Sequence, residues 1–202
     1  TSGNVTFTAA ASGSPAPTVQ WQVSTNGGAS FSDLVGETST TLIVAAGPAV
    51  NGNQYRAVFT NTCGSATTTA ATLTTCLPPV ITLSANTKSM WPPNHAYRTF
   101  RVTDFVSSAT SNCDGNITSS VVIAGVSSDE VDDNPSGGDG STLNDIVIGC
   151  DRKSVLLRAE RDGDLDGRVY TITFKVTDSA GNTTMVTATV TVPKSQNGAP
   201  AL

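Results

Sequence analysis

The period of the hydrophobic pattern is the strongest constraint on the fold. Apolar and polar residues alternate in short runs, such as TVQWQVS at 18–24 and NQYRAVFTN at 53–61. No segment repeats apolar residues at i, i+3, i+4 and i+7 over three turns, so the chain is predicted to be all-β. In its first part the alternation places these residues on one face: Val5, Phe7, Val19, Trp21, Val23, Leu42, Val44, Tyr55, Ala57 and Phe59.

Runs of this kind, bounded by turn residues, predict the strands. We expect them at 4–11, 18–24, 31–35, 39–45, 53–61, 66–75, 80–84, 97–107, 117–126, 145–149, 154–160, 168–177 and 183–192. The segment CLPPV at 76–80 is predicted to be a linker, because consecutive prolines stiffen the chain and prevent the preceding strand from continuing. The chain is therefore expected to form two domains, 1–76 and 77–202.

Counted with the first strand of an immunoglobulin-like sandwich, which this sequence lacks, the first domain carries a Trp in its third strand and a Tyr in its sixth. Its segments GSPAPTVQWQVSTNGG, TSTTLIVA and NGNQYRAVFTN resemble an immunoglobulin-like sandwich of the bacterial surface-protein kind. Alanines stand near position 9 and at Ala57 where that family has its inter-sheet cysteines, so Trp21 is expected to pack against aliphatic neighbours alone. The resemblance also implies that strand A of this sandwich is missing from the sequence.

The second domain contains the segments WPPNH, SDEVDDNPSGGDGSTLND, LRAERDGDLDGRVYTITFKVTDSAGN and ATVTVP. These resemble a β-sandwich module of bacterial secreted repeat proteins, related to hyalin-repeat and cadherin-like domains. The resemblance implies a structural or adhesive role and names no activity. The predicted fold is therefore two tandem immunoglobulin-like β-sandwiches.

Charge is unevenly distributed along the chain. Only Asp33 and Glu37 of the 16 acidic residues precede Cys76, and Arg56 is the only basic residue there. The net charge is −5. Because nucleic-acid binding needs a basic surface, this composition argues against it. No apolar run is long enough to span a membrane.

Acidic residues gather in two loops of the second domain. In a sandwich of immunoglobulin order, the loops at 90–96, 128–144 and 161–167 share one end, and oxygen-rich, mutually repelling carboxylates suit calcium. Against an EF-hand, RDGDLDG lacks flanking helices and has Thr173 at position twelve, so the two loops would share an ion. The alternative is a pair of solvated acidic turns. The candidate ligands are Asp129, Glu130, Asp132, Asp133, Asp139, Asp162, Asp164 and Asp166.

The four cysteines show no C-x-x-C spacing, so disulfides and an extracellular location are expected. The alternation of loops between the two ends of the sandwich predicts a disulfide between Cys113 and Cys150. For Cys63 and Cys76 three alternatives stay open: a pair formed by a folded-back tail, free thiols, or bonds to neighbouring chains.

Two further residues are candidates for a site. His95 lacks a partner motif, so it is expected to be a hydrogen-bonding loop residue and not a catalytic one. Trp91 is a possible sugar contact, although a loop Trp followed by two prolines more commonly closes the end of a sandwich. Without a G-x-S-x-G elbow or a cleft with paired carboxylates, no enzyme is predicted.

Together these features predict a non-enzymatic, calcium-stiffened, extracellular structural module of a bacterial-type surface protein or self-assembling filament. In a filament, the tail PKSQNGAPAL would add a strand to the next molecule. The alternative is an adhesive or carbohydrate-binding accessory module of a secreted enzyme, with a glycan or surface ligand as its partner.

Overall fold

The computed structural model describes residues 3–130, 143–162 and 167–195, and they form an all-β structure, as the hydrophobic pattern predicts. The chain divides into two compact units, Thr1–Leu77 and Pro78–Leu202, each built around its own hydrophobic core. We call them the N-terminal unit and the C-terminal unit. In the described residues, no helix is long and apolar enough to cross a membrane.

The N-terminal unit is a sandwich of two sheets. Its strands are β1 (Asn4–Thr8), β2 (Thr18–Ser24), β3 (Ser32–Asp33), β4 (Thr41–Ala45), β5 (Gln54–Asn61), β6 (Gly64–Thr67) and β7 (Ala71–Thr72), with a 3₁₀ turn at Pro48–Val50. One sheet contains β1 and β4, and the other has the order β3-β2-β5-β6, with β7 also paired to β5. This partition is that of strands B and E against C′, C, F and G of an immunoglobulin-like sandwich.

The core of the N-terminal unit confirms the predicted face. All ten predicted residues belong to one hydrophobic cluster, which Leu73 and a few partly buried side chains complete. Trp21 lies in this core, and its indole N–H donates to the Ser39 carbonyl at 2.8 Å. The expectation of purely aliphatic neighbours is wrong, because the Phe7 ring lies 6.4 Å from the Trp21 ring between centroids.

The C-terminal unit is a larger sandwich. Its strands are β8 (Val80–Leu83), β9 (Thr87–Ser89), β10 (Tyr97–Arg101), β11 (Val106–Ser111), β12 (Gly115–Asn116), β13 (Val122–Ser128), β14 (Ile146–Ile148), β15 (Ser154–Arg158), β16 (Gly167–Thr177) and β17 (Thr183–Pro193). Short 3₁₀ turns lie at Val102–Asp104 and Thr118–Ser120. One layer contains β13-β16-β17-β9, and the other contains β10-β15-β14 and β12-β11-β8. In immunoglobulin lettering, β13, β16 and β17 are strands C, F and G. They face strands A (β8), B (β10 and β11), E (β15) and D (β14), as in immunoglobulin-like domains.

Strand β16 shows how alternation builds this second core. Tyr170, Ile172, Phe174 and Val176 all point inward and are at most 1% exposed. The ring of Phe174 lies 5.6 Å from that of Phe105. Aromatic pairs of this kind add to the stabilisation from buried apolar area.

The C-terminal unit differs from the prediction at several points. The expected strand at 117–126 begins only at Val122, since Thr118–Ser120 form a 3₁₀ turn, and the short strand β12 before that turn was not predicted. The expected strand at 97–107 is broken into β10 and β11 by a 3₁₀ turn, in which Asp104 accepts a hydrogen bond from the Arg101 amide at 2.7 Å. The short strand β9 was not predicted, because its sequence TKS has no apolar alternation. It pairs in parallel with the edge of β17.

Candidate functional site

Three interstrand connections of the C-terminal unit meet near the start of β16. They are the segment from β9 to β10, the segment from β13 to β14, and the segment from β15 to β16. Described residues of the second and third segments contact Arg168, the second residue of β16. Because side chains alternate along a strand, Arg168 points inward like Tyr170 and is only 1% exposed.

Three buried carboxyl groups contact this guanidinium, and a fourth buried acidic residue, Asp162, donates its amide to one of them. Glu130, Asp145, Glu160 and Asp162 are 8%, 2%, 1% and 6% exposed, respectively. Arg168 Nε lies 3.1 Å from Glu130 Oε2, while its Nη1 lies 3.4 Å from Glu160 Oε1 and donates a short hydrogen bond to Asp145 Oδ2. We call these five residues the Arg168 cluster.

Backbone and hydroxyl groups complete the inner contacts of the Arg168 cluster. The Asp162 amide donates to Glu130 Oε2 at 2.7 Å, which joins the loop after β15 to the loop after β13. Arg168 Nη1 also donates to the Tyr170 hydroxyl at 3.2 Å, and that hydroxyl donates to the Arg158 carbonyl at 2.9 Å. The cluster therefore ties connections that are distant in sequence to one inward-facing cation.

A second arginine covers the Arg168 cluster from outside. Arg158 Nε lies 3.4 Å from Asp145 Oδ1 and 3.7 Å from Glu160 Oε2. Its guanidinium stacks on the Tyr97 ring, 4.2 Å from the centroid, and donates to the His95 carbonyl at 3.1 Å. This contact brings the segment between β9 and β10 into the same network.

His95 is a hydrogen-bonding loop residue, as predicted. Its Nδ1 lies 3.1 Å from Glu160 Oε2, and its amide donates to the Ala159 carbonyl at 2.9 Å. It has a positive φ of 60°, which fits a tight turn. Its ring is thus held against a buried carboxylate on one side, and its side chain is 46% exposed.

Burial shifts the protonation of the cluster. Desolvation raises the pKa of Glu130, and desolvation together with the neighbouring Glu160 raises the pKa of Asp145 to about 7. Burial also raises the pKa of the Tyr170 hydroxyl. For Arg168, burial alone would lower the pKa, but hydrogen bonds to Tyr170 and Asp145 outweigh it and the pKa is raised. The guanidinium is therefore permanently charged.

These features limit what the cluster can do chemically. Glu130, Asp145 and Glu160 direct their oxygens at Arg168, and each is more than nine-tenths buried. A general acid or base must reach a substrate atom at hydrogen-bond distance. The geometry favours cross-linking of loops over proton transfer to a ligand.

The structure describes three of the eight predicted calcium ligands. Asp129 Oδ1 accepts from the Val169 amide at 2.7 Å, and Glu130 and Asp162 belong to the Arg168 cluster. The other five, Asp132, Asp133, Asp139, Asp164 and Asp166, lie outside the described residues. Among the residues that are described, no group of three or more His, Cys, Asp or Glu is arranged to hold a metal ion. Calcium stays a prediction.

The sequence reasoning missed Arg168, Asp145 and Glu160 as partners. For Arg168 the signal was present: it shares the inward parity of Tyr170 and Ile172 on a strand whose position was predicted. An arginine at a core-facing position requires buried acidic partners. The inward position of Arg168 therefore predicts that acidic residues of the neighbouring loops pair with it.

The predicted disulfide between Cys113 and Cys150 is wrong. Cys113 and Cys76 are disulfide-bonded, whereas Cys150 and Cys63 are free, exposed thiols. The prediction placed both cysteines in loops at the same end of the sandwich. Cys113 lies in the tight turn between β11 and β12, where its amide donates to Ser111 Oγ at 3.1 Å. The sheet of β11 and β12 contains neither β14 nor β15, the strands that flank Cys150.

Trp91, the candidate ligand contact, is half-buried, and its carbonyl accepts a hydrogen bond from Arg98 Nη2 at 3.2 Å. The more exposed aromatic residue nearby is Tyr97, which is 38% exposed and hydrogen-bonded to the Asn144 carbonyl at 2.6 Å. A ligand contact at Trp91 stays a prediction.

Comparison with known proteins identifies one matching family. Residues 1–76 match the family model described as "Domain of unknown function (DUF8696)". This match covers the N-terminal unit. The resemblance of the C-terminal unit to hyalin-repeat and cadherin-like modules stays a prediction.

One relative is a much longer enzyme. Endoglucanase C of Cellulomonas fimi is 51% identical to this chain over 71 residues, which are 35% of this chain and 6% of the enzyme. The chain therefore covers only a small part of that protein's length.

Solved structures that are similar to this chain include immunoglobulin domains. The four N-terminal immunoglobulin domains of Dscam1 isoform 8.4 give a TM-score of 0.41 at 17% identity, covering 93% of this chain and 40% of that chain. Dpr2 Ig1-Ig2 in complex with DIP-Theta Ig1-Ig3 gives 0.35 at 15% identity, covering 93% and 58%.

Proposed function

We propose that the chain is a non-catalytic accessory module of a larger extracellular protein, of the kind found in secreted polysaccharide-degrading enzymes. The observation that carries this proposal is the 51% identity to a short segment of Endoglucanase C. A segment that occupies 6% of an enzyme can recur in other proteins without its activity.

The disulfide-bonded state of Cys76 and Cys113 supports an extracellular location. Disulfides form and persist in oxidising compartments such as the bacterial periplasm and the extracellular space. The Thr- and Ser-rich, weakly charged sequence of the N-terminal unit fits an exposed β surface.

Within an accessory region, the geometry favours a structural role over ligand binding. The titratable groups that gather in the C-terminal unit are buried and contact one another in the Arg168 cluster. Such a network fixes loops in place. We propose that the chain acts as a stable β-sandwich spacer, and that any calcium bound by its acidic loops would stiffen the same end of the C-terminal unit.

A binding and turnover assay on the purified chain tests this proposal. The chain is incubated with insoluble cellulose and with soluble β-glucan, and bound protein and released reducing ends are measured. We expect neither saturable binding nor hydrolysis. Saturable binding that is lost in Trp91→Ala would instead support the carbohydrate-binding alternative, and hydrolysis that survives repurification would overturn the non-catalytic assignment.

A further inference from the structure

The smaller sheet of the N-terminal unit has an open edge. It contains β1 and β4 alone among the described strands. The Ala9 amide bonds to the Thr40 carbonyl, and the Ala46 amide bonds to the Gly3 carbonyl. In an antiparallel pair, every second residue of a strand forms hydrogen bonds with the partner strand. The N–H and C=O groups of the odd-numbered β1 residues therefore face β4. The N–H and C=O groups of Asn4, Thr6 and Thr8 therefore face outward.

Nothing in the sequence of this edge blocks the addition of a strand. Natural sheets protect their edges with charged side chains, prolines or bulges. Strand β1 is NVTFT and β4 is TLIVA, and neither contains any of these residues. The pairing of β1 with β4 is also continuous, from Asn4 opposite Ala45 to Thr8 opposite Thr41.

A cleft of about 200 Å³ lies beside β1. Phe7, Thr8 and Ala9 form one wall, and Thr68, Thr69 and Ala71, at and just before the start of β7, contribute the other. The buried aromatic residues Trp21 and Tyr55 complete the lining. A strand added to β1 would direct every second side chain into this cleft, which aromatic and threonine side chains line, on the same face as Phe7.

We propose that the β1 edge accepts, by antiparallel strand addition, the segment 196–202 of a second copy of this chain. That segment, QNGAPAL, lies outside the described residues and carries no charged side chain, and β1 and the cleft residues are likewise uncharged. Counted from Lys194, nine extended residues reach about 30 Å, which exceeds the length of the five-residue β1.

Proline determines the register of this pairing. Proline has no N–H, so it fits an edge strand only where that group would face solvent. If Pro200 faces away from β1 in this way, its side chain points inward, and Leu202 shares that direction. Ala199 and Ala201 then turn their backbone groups toward Thr6 and Thr8. The apolar pair Pro200 and Leu202 fills the cleft.

This contact joins two different surfaces of the chain. Head-to-tail contacts of this kind are heterologous, and they build rings or open-ended filaments rather than closed dimers. The proposal goes beyond the accessory role, because a module that does not self-associate could still act as a spacer.

Sedimentation velocity of the full chain over a wide concentration range tests the association. We expect concentration-dependent oligomers whose apparent dissociation constant rises about tenfold or more in Leu202→Asp, since a buried Leu is replaced by a charge. Ala201→Asp, whose side chain points outward, should have little effect. Thr6→Pro, which removes an outward N–H, should also weaken association, whereas Ile43→Pro on the opposite β4 edge should not.

Cross-linking distinguishes a second copy from the same copy. In a Cys63→Ser, Cys150→Ser background, chains carrying Thr6→Cys are mixed with chains carrying Ala201→Cys and mildly oxidised. We expect heterodimers, and none when Ile43→Cys replaces Thr6→Cys. A monomer at all concentrations, or oligomers unaffected by Leu202→Asp, would overturn the proposal. So would a Thr6→Cys, Ala201→Cys double variant that cross-links only within one chain.

Discussion

The Nε atom of Arg168 lies 3.1 Å from Oε2 of Glu130, and these residues are only 1% and 8% exposed. One sits at the start of β16 and the other just after β13. An ion pair buried this deeply is costly to form, but removing one member leaves an uncompensated charge in the interior. The Arg168 cluster should therefore govern the stability of the C-terminal unit.

Replacing the central cation should be strongly destabilising. Arg168→Met keeps the length of the side chain but leaves Glu130, Asp145 and Glu160 without their shared cation. We expect a loss of about 3–5 kcal/mol in the free energy of unfolding of the C-terminal unit, measured by urea denaturation. Lys175→Met, a half-buried, outward-facing position on the same strand, should change it by less than about 0.5 kcal/mol. Equal stability of Arg168→Met and the unchanged chain would contradict this account.

Stability should fall as pH rises from about 4 to 7. Asp145 has an ordinary pKa of 3.8 and a folded-state pKa of about 7, so the folded state holds a proton that the unfolded state releases. Its contribution is full below pH 3.8 and is lost as pH approaches 7, with a slope of at most about 1.4 kcal/mol per pH unit. The raised pKa of Glu130 acts in the same direction.

Asp145→Asn should flatten this pH dependence, because asparagine has no proton to lose. The measurement is urea denaturation at a series of pH values between 4 and 7. Asp151→Asn, at an exposed turn position, serves as the matched control and should leave the slope unchanged. If Asp145→Asn retains the full slope, the protonation of Asp145 does not couple to folding.

The calcium hypothesis makes a separate prediction. If the acidic loops bind the ion, adding calcium to the EDTA-treated chain should raise the Tm of the C-terminal unit, and the double variant Asp164→Asn, Asp166→Asn should abolish the rise. The fold should persist in EDTA, because Arg168 already neutralises Glu130. An unchanged Tm on calcium addition would refute the hypothesis.

Thiol counting tests the revised cysteine assignment. With Cys63 and Cys150 free, denatured, unreduced protein should react with two equivalents of a thiol reagent per chain. The double variant Cys63→Ser, Cys150→Ser should react with none. A disulfide between Cys113 and Cys150 would instead leave Cys63 and Cys76 as the reactive pair, which peptide mapping identifies.

The strands and the N-terminal core could be predicted because they depend on local alternation. Trp21 and Tyr55 lie inward because every second residue of a strand faces the same side, and that pattern is visible in the sequence. Arg168 obeys the same rule. Its acidic partners lie in loops, whose positions this alternation does not determine.

The bonding state of Cys113 could not be predicted, because it depends on the detailed course of the chain around β11. The 3₁₀ turn at Val102–Asp104 splits one expected strand, and the pairing of β11 with the short β12 places Cys113 in a tight turn. The choice of a 3₁₀ turn there involves the Asp104 side chain and the packing of Phe105, which no periodicity reveals. Distances such as that between Asp162 and Glu130 likewise depend on the folded loops.

We propose that the gathered acidic residues of the C-terminal unit hold loops together rather than carry out chemistry. Amide hydrogen exchange, compared between the unchanged chain and Arg168→Met, tests it most directly. We expect faster exchange at the amides of His95 and Asp162, which bond within this end of the unit, with Ile172 in the middle of β16 less affected. Unchanged exchange at His95 and Asp162 would show that Arg168 does not fasten these loops.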